Sequence, residues 1–489
     1  MSRQFKSAHQ PAPDRPSREW PWSNTPSRLL ARRGLAFAAA ALLLAYLALD
    51  GGGYDIVVRQ TASVVIWGVV AVGFALGALP RSVPNRVLLV PAVGAAALVL
   101  WMLLSFTWTA SDERTTAEFA RLLGYAGLAV LVLVSLNRDT FRAAAAGLSV
   151  AALGIAALAV ASRLAPGAFE GATDVASQFR TDRLDFPLDY WNAVGAWGAM
   201  SCAIGLAWSA HARLAITRAV SLAAVPVAGL AVYLSYSRGG LVGTAAALVA
   251  VLALSHNRWT AFVHMIAAGA GTAAAILAVR SNPEIAEATG DAGAADVALA
   301  LVVASGLCAG AVVMTSVMNA DRARLPRDQA RFVVPAFIAL ALVVAVIGGR
   351  GPISEGWDEF RSDDAPAVGG ADPAQRLTAG GGNRNDIWSS AMDAFQAEPM
   401  RGVGAGTFEF FWLREADDPE YVRDAHSVYL EHAAELGFPG AFLLVVVLLG
   451  LLVSALVARR RLERPGDIAA SVALTSAFVV FCVNAGVDW

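Results

Sequence analysis

Residues 219–254 read AVSLAAVPVAGLAVYLSYSRGGLVGTAAALVAVLAL, two apolar runs that meet at Arg238, the one charged residue of the stretch. An α-helix needs about 20 apolar residues to cross roughly 30 Å of hydrocarbon, and within lipid a helix satisfies its own backbone polar groups. The stretch therefore reads as two membrane-spanning helices, 216–236 and 239–255, with a guanidinium held at the membrane edge between them. Outward from it, runs of spanning length recur at 34–50, 61–80, 85–107, 116–136, 141–164, 189–209, 259–279, 295–318, 332–349, 437–458 and 467–487. Over 489 residues, 57% are hydrophobic and 16% charged, against roughly 25% charged in soluble domains. The expected fold is all-α, a polytopic transmembrane helical bundle of about 12–13 helices.

The loops carry an orientation. RSVPNR (81–86), NRDTFR (137–142), HARLAITR (211–218), HNR (256–258), DRARLPRDQAR (321–331) and ARRRLER (458–464) are basic. They alternate with DGGGYD (50–55), TASDER (109–114), SNPEIAEATGD (281–291) and the long segment 350–436, which are acidic or mixed. Because Lys and Arg stay cytoplasmic, the N-terminus is expected inside and the long segment outside. The organisation expected is a basic, Pro-rich cytoplasmic tail at 1–33 and a bundle of about eleven helices at 34–349, then a large helical extracytoplasmic loop at 350–436 and C-terminal membrane helices at 437–489. A signal anchor fits the N-terminus better than a cleaved peptide, since the basic region is long and no small-residue cleavage site follows clearly.

The formal net charge of −2 gives no global field for nucleic acid. Cys202, Cys308 and Cys482 lie inside apolar spans without CxxC or His-rich neighbours, so they read as small core residues, with neither disulfide nor metal site.

An intramembrane arginine costs roughly 2.5–3.5 kcal/mol on insertion scales, so Arg238 calls for a functional hypothesis beside the plain one of a snorkelling interfacial cation. In QFRTDRLDFPLDYWNAVGAW (178–197), Arg180 and Arg183 precede Tyr190, Trp191 and Asn192 at a membrane boundary. There Tyr and Trp are explained by an aromatic belt. NRNDIWSSAMDAFQAEP (383–399) reads as an amphipathic helix capped by Asn383 or Asn385, with Ile387, Trp388, Met392 and Phe395 as its apolar stripe. Arg384 stands at its N-terminus, where anions are favoured. Residues 362–382, rich in Gly, Ala and Asp, read as flexible.

Gly402, Gly404 and Gly406 in RGVGAGTFEFFW (401–412) superficially resemble a nucleotide loop. They lack the strand before, the helix in register after and a Walker lysine, so a tight structural turn is the better reading. A second helix is expected from near Ala425 through HSVYLEHAAELGFPG (426–440), opened by His426 at the outer face. His432 is about 240° around that helix from His426, so the pair does not grip one ion. Glu431 and Glu435 share a face, and Glu435 is carried as a supporting residue beside its plainer reading as an interfacial carboxylate.

Taken together, these segments resemble the O-antigen ligase/polymerase superfamily of bacterial membrane proteins. The residues that carry the resemblance are Arg183 with YWNAVGAW (190–197), YSRGG (236–240), Arg384 and Trp388 with Pro399 and GVGAGTF (402–408), and HSVYLEHAAELGFPG (426–440). VNAGVDW (483–489), with Asp488, looks like the start of the family's last outer-face motif. The resemblance covers residues 180–489. The family often has Asn after the histidine where this chain has Ser427, and relatives usually continue beyond the position of Trp489.

What the resemblance implies is transfer of a glycan from a polyprenyl-pyrophosphate carrier to an acceptor hydroxyl on the extracytoplasmic face, with no nucleotide sugar, metal or other cofactor. Arg183, Arg238 and Arg384 would clamp the pyrophosphate, because arginine forks bind such oxygens bidentately. Arg180, Asn192, Glu435 and Asp488 would support them. His426 would take the acceptor's proton, since an ordinary imidazole titrates near 6.5, and one displacement inverts the anomeric centre. The acceptor, whether glycan, lipid or protein, stays open, as does ligase against polymerase. Two other readings also stay open. A transporter or flippase of lipid-linked glycans would show repeats, none of which is evident. A non-catalytic envelope scaffold would use the 17 acidic against 7 basic residues of segment 350–436, but leaves three membrane-edge arginines unexplained.

Overall fold

The computed structural model describes residues 26–77, 79, 86–169, 182–318, 384–415 and 421–488. Among them every regular element is a helix. In chain order these are α1 (Pro26–Leu49), α2 (Ile56–Ala75), α3 (Leu89–Ser105), α4 (Asp112–Ser135), α5 (Arg138–Leu164), α6 (Trp191–His211), α7 (Ala215–Ala223), α8 (Val225–Leu234), α9 (Arg238–Leu254), α10 (Arg258–Arg280) and α11 (Ala294–Val317). They continue with α12 (Arg384–Ala397), α13 (Phe408–Glu415), α14 (Val428–Arg459) and α15 (Pro465–Asn484), with short single turns between some of them.

Eleven of these segments are long and apolar enough to cross a membrane, taking α7 and α8 as one, and α9 is a shorter apolar helix of the same kind. The protein is a multi-pass membrane helical bundle. The span expected at 332–349 and the stretch at 362–382 lie outside the described residues, as does Arg180. The span expected at 216–236 is present as Ala215–Leu234, interrupted near Ala224 because Pro226 has no N–H to continue the ladder.

Helix α6 forms the centre, packed against α15, α9, α8 and α5. Its sequence explains why: Gly195, Gly198 and Gly205 leave no side chain where Ser237, Val232 and Val225 approach, so neighbouring helices come close and gain dispersion contacts in place of a hydrophobic drive that lipid does not supply. Helix α2, by contrast, leaves Val57, Val64 and Val65 exposed, a lipid-facing surface.

Between α11 and α14, α12 lies on α14 and α13. Its buried face is Ile387, Ser390, Ala391 and Ala394, packed with Phe408, Trp412, Val422 and Ala434. The expected stripe was partly wrong. Met392 is exposed and Phe395 only half-buried, because small residues at i+3, i+4 and i+7 from Ile387 allow a closer approach than the larger ones. Helix α14 starts at Val428, capped by the Ser427 side chain, so His426 precedes the helix instead of opening it. The helix breaks at Gly437 (φ 64°), which puts Pro439 near the start of its second half, where a missing N–H is tolerated.

Candidate functional site

The site is assembled where the turn after α15 meets the segment before α14. Asp488 N–H donates to Asn484 O (2.8 Å) and Val428 N–H donates to Ala485 O (2.9 Å), so the two chain segments are tied by backbone. The Asp488 carboxylate, nearly buried, accepts the Tyr190 hydroxyl at 2.9 and 3.0 Å and Arg384 Nη2 at 3.1 Å. His426 Nδ1 lies 3.3 Å from its Oδ1, and Asn192 Nδ2 donates to the Tyr190 oxygen (2.8 Å). Three separate segments, those of Tyr190, Arg384 and His426, thus converge on one carboxylate.

His426 has φ +49°, the left-handed region, although it is not glycine. Such a conformation costs on the order of 1–3 kcal/mol and persists where its surroundings over-determine it. Here Glu431 Oε2 accepts Ala425 N–H (3.1 Å) on one side and Ala485 holds Val428 on the other. Three of the four described non-glycine residues with positive φ border the site: Asp189 beside Tyr190, Tyr236 two residues before Arg238, and His426 itself.

Arg183 lies over the Trp191 ring, 4.8 Å from its centroid. Its segment is pinned by Arg163, whose Nη2 donates to Asp182 O (2.8 Å) and Nη1 to Ile285 O (3.1 Å), and by Leu184 N–H to Leu234 O (2.9 Å). Burial first and then the charge of Arg238 push the Arg183 guanidinium below its ordinary pKa, against a pull from Tyr190, and Arg384 adds a smaller push in the same direction as Arg238. Like charges therefore crowd here, and an anion among them is favoured. Arg238 is the first residue of α9, whose Ser237 cap accepts Gly240 N–H (3.2 Å). Arg384 likewise begins α12. Two helix N-termini thus bring arginines to the same region. Burial first, and then Asp488, raise the Tyr190 hydroxyl above its ordinary value, so it stays a donor to that carboxylate.

Tyr190 and Trp191, expected at the boundary as an aromatic belt, also make specific contacts: the hydroxyl donates to Asp488 and the ring lies under Arg183. A boundary aromatic has two explanations that sequence alone does not separate. Arg163, Glu431 and Glu409 were not singled out as positioning groups either. The one signal for Glu409 is an acid inside the apolar run FEFFW (408–412).

The glycine turn is a different kind of structure. Gly402, Gly404 and Gly406 have φ of 69°, 110° and 71°. A side chain at Gly402 would meet the backbone of Glu435 and Leu436, and one at Gly404 would meet Thr109. The turn is fastened by Glu435, whose Oε2 accepts Gly406 N–H (2.8 Å) and Oε1 accepts Phe408 N–H (3.1 Å). Beside it, buried Glu409 pairs with Arg114 and accepts the Tyr421 hydroxyl. His432 Nδ1 donates to Val428 O within its own helix (2.9 Å).

Compared with known families, residues 292–445 match the model of the O-antigen ligase family. No curated protein matches the chain. The matched stretch includes Arg384, the glycine turn, His426 and Glu435, while Arg183, Arg238 and Asp488 lie outside it and reach the same site through the fold. Over residues 292–445 the chain is thus similar to the O-antigen ligase family, in agreement with the motifs read from its sequence.

Proposed function

We propose that this protein transfers a glycan from a polyprenyl-pyrophosphate carrier to an acceptor hydroxyl at the extracytoplasmic face of the bacterial inner membrane, its N-terminus lying in the cytoplasm. At family level this is membrane glycosyltransfer of the O-antigen ligase/polymerase type. The observation that carries the reading is the shared carboxylate: Asp488 contacts both Arg384 and His426.

In the reaction the acceptor oxygen attacks the anomeric carbon from the face opposite the carrier. The carbon–oxygen bond to pyrophosphate breaks, its electron pair stays on the pyrophosphate, and the acceptor's proton passes to His426. With Nδ1 turned toward Asp488, Nε2 is the nitrogen left to take that proton, and the carboxylate stabilises the imidazolium that forms. Arg183, Arg238 and Arg384 meet the charge that develops on the leaving oxygens. One displacement inverts the centre.

The test is acceptor-dependent release of polyprenyl pyrophosphate from native lipid-linked oligosaccharide by the purified protein in nanodiscs, comparing wild type with Arg238→Ala and His426→Ala. Release is expected to fall in both variants, with donor binding retained in H426A and weakened in R238A. Undiminished turnover in H426A sinks the base assignment. No release by folded wild type with authentic donor and a range of acceptors moves the reading to transport.

A further inference from the structure

Helices α9 and α14 border the candidate site at their first turns, through Arg238 and through the junction that follows His426. Their far ends come together on the opposite membrane face. There Arg459, the last residue of α14, donates from Nη2 to His256 Nδ1 (3.3 Å) in the turn between α9 and α10. Arg258, the first residue of α10, folds back over the same turn, its Nη2 donating to Ala253 O (3.3 Å). We infer that Arg258 and Arg459 hold the phosphate of an anionic phospholipid headgroup, drawn from the leaflet opposite the candidate site, and that this lipid ties α9 to α14. The inference lies apart from the transfer chemistry and does not depend on the transferase reading.

Three observations call for an anion here. The first is crowding of like charge. Arg258 acts electrostatically on both His256 and Arg459, and among the described residues no carboxylate pairs with either arginine. Burial first, then Arg459 and Arg258, hold the His256 imidazole below its ordinary pKa, so it serves Arg459 as a neutral acceptor. The second is Arg459 Nε, shielded from solvent with no hydrogen-bond partner among the described residues. A shielded donor without an acceptor is costly, and arginine forks take phosphate oxygens bidentately. The third is a contrast. Other arginines of this face are answered within the protein: Arg33 by Asp139 (3.5 Å), and Arg218 by Ser209 O (2.8 Å) and Ser316 Oγ (3.3 Å). The general preference of basic residues for one face does not account for two arginines packed at one turn without a counter-ion.

Depth selects a lipid as the source. Arg258 and Arg459 each stand at the end of a helix long enough to cross the membrane. Trp259, exposed beside Arg258 and stacked on Phe262 (ring centroids 5.9 Å, interplanar angle 29°), marks this level as the interface. Lipid phosphates lie at that level, and basic pockets between spanning helices are where anionic headgroups bind. The bridge also has something to hold. Helix α14 packs mainly on α3 and α12, and α9 on α6 and α15, so a shared headgroup fixes the spacing of two helices that are otherwise anchored to different neighbours.

The experiment uses the full chain, delipidated in a neutral maltoside detergent and titrated with dioleoyl phosphatidylglycerol, dioleoyl phosphatidylcholine or inorganic phosphate. Retained lipid is measured by native mass spectrometry and the unfolding midpoint in parallel, for wild type, Arg459→Gln, Arg258→Gln and a control, Arg460→Gln with Arg461→Gln. The control removes two exposed neighbours of the same charge, and Arg258 is itself exposed, so R258Q takes no buried contact from the fold. Expected is retention of phosphatidylglycerol by wild type and control with a raised midpoint, and retention lower by about tenfold or more in R459Q and R258Q. Equal retention of phosphatidylcholine overturns the inference, because the charge of the headgroup is then not read. An equal loss in the control overturns it as well, by reducing the effect to bulk surface charge. The same midpoint rise with inorganic phosphate at equal concentration makes the ligand a free anion and overturns the lipid assignment. Retention indifferent to R258Q overturns it even if R459Q fails to fold.

Discussion

Asp488 and Glu435 are equally buried, 6% and 7% exposed, yet their partners differ in kind. Glu435 accepts two backbone N–H groups of the glycine turn, neither of which changes charge or moves away. Among the described residues Asp488 accepts the side chains of Tyr190, Arg384 and His426, brought in by other parts of the chain. A buried carboxylate answered by backbone fixes a shape. One answered by an arginine, an imidazole and a phenol ties together groups to which the proposed transfer assigns its chemistry, and its removal redistributes their charge.

Asparagine at 488 gives the sharpest break between the two. It keeps the volume but loses the charge that orients His426 and stabilises its protonated form, so turnover should fall on the order of 10²–10⁴-fold. Thermal stability should change little. A variant that unfolds instead, without a selective loss of turnover, would make Asp488 a second Glu435.

Glu435→Ala is the mirror experiment. It leaves Gly406 and Phe408 N–H groups buried without acceptors, at about 1–3 kcal/mol each, so the midpoint of unfolding should drop. Turnover per folded molecule should stay within a few-fold of wild type, because both carboxylate oxygens are already engaged away from His426. A 10²-fold selective loss would move Glu435 into the chemistry.

Tyr190→Phe is expected to act more weakly, removing the hydroxyl that donates to Asp488 and accepts from Asn192, each bond worth about 0.5–1.5 kcal/mol, hence on the order of a tenfold fall in turnover with unchanged folding. No change at all would return Tyr190 to the membrane-boundary role its sequence position suggested.

The bundle was legible because apolar length is a property of one segment at a time: the runs at 141–164 and 259–279 became α5 and α10 with ends moved by a few residues. The arginines were legible because a cation at a membrane edge needs a reason. What stayed hidden was pairing. Nothing near residue 190 in sequence announces Asp488, 298 positions away, and the Arg114–Glu409 pair spans a similar gap. The face of α12 was misread for a related reason: size ranked Met392 above Ala391, whereas a close helix contact selects the smaller side chain.

Asp424 tests the comparison at its seam, since it feels groups of both regions. Burial raises its pKa above the usual carboxylate range and Glu118 adds to this, while Arg423, Arg121 and His426 pull it down without prevailing. With a folded pKa above the unfolded value of about 3.9, the folded state holds the proton more tightly. The stabilisation is therefore full below about pH 4 and is lost as pH rises through the folded value. Asp424→Asn has no proton to lose, so its stability relative to wild type should increase from about pH 4 upward and then level off, a smaller effect than the three above. Unfolding midpoints in nanodiscs across that range measure it. If the asparagine variant is instead the less stable one at neutral pH, ionised Asp424 is a partner the neighbouring arginines require, and it belongs with Asp488 as a charged hub instead of with Glu435 as a buried fastening.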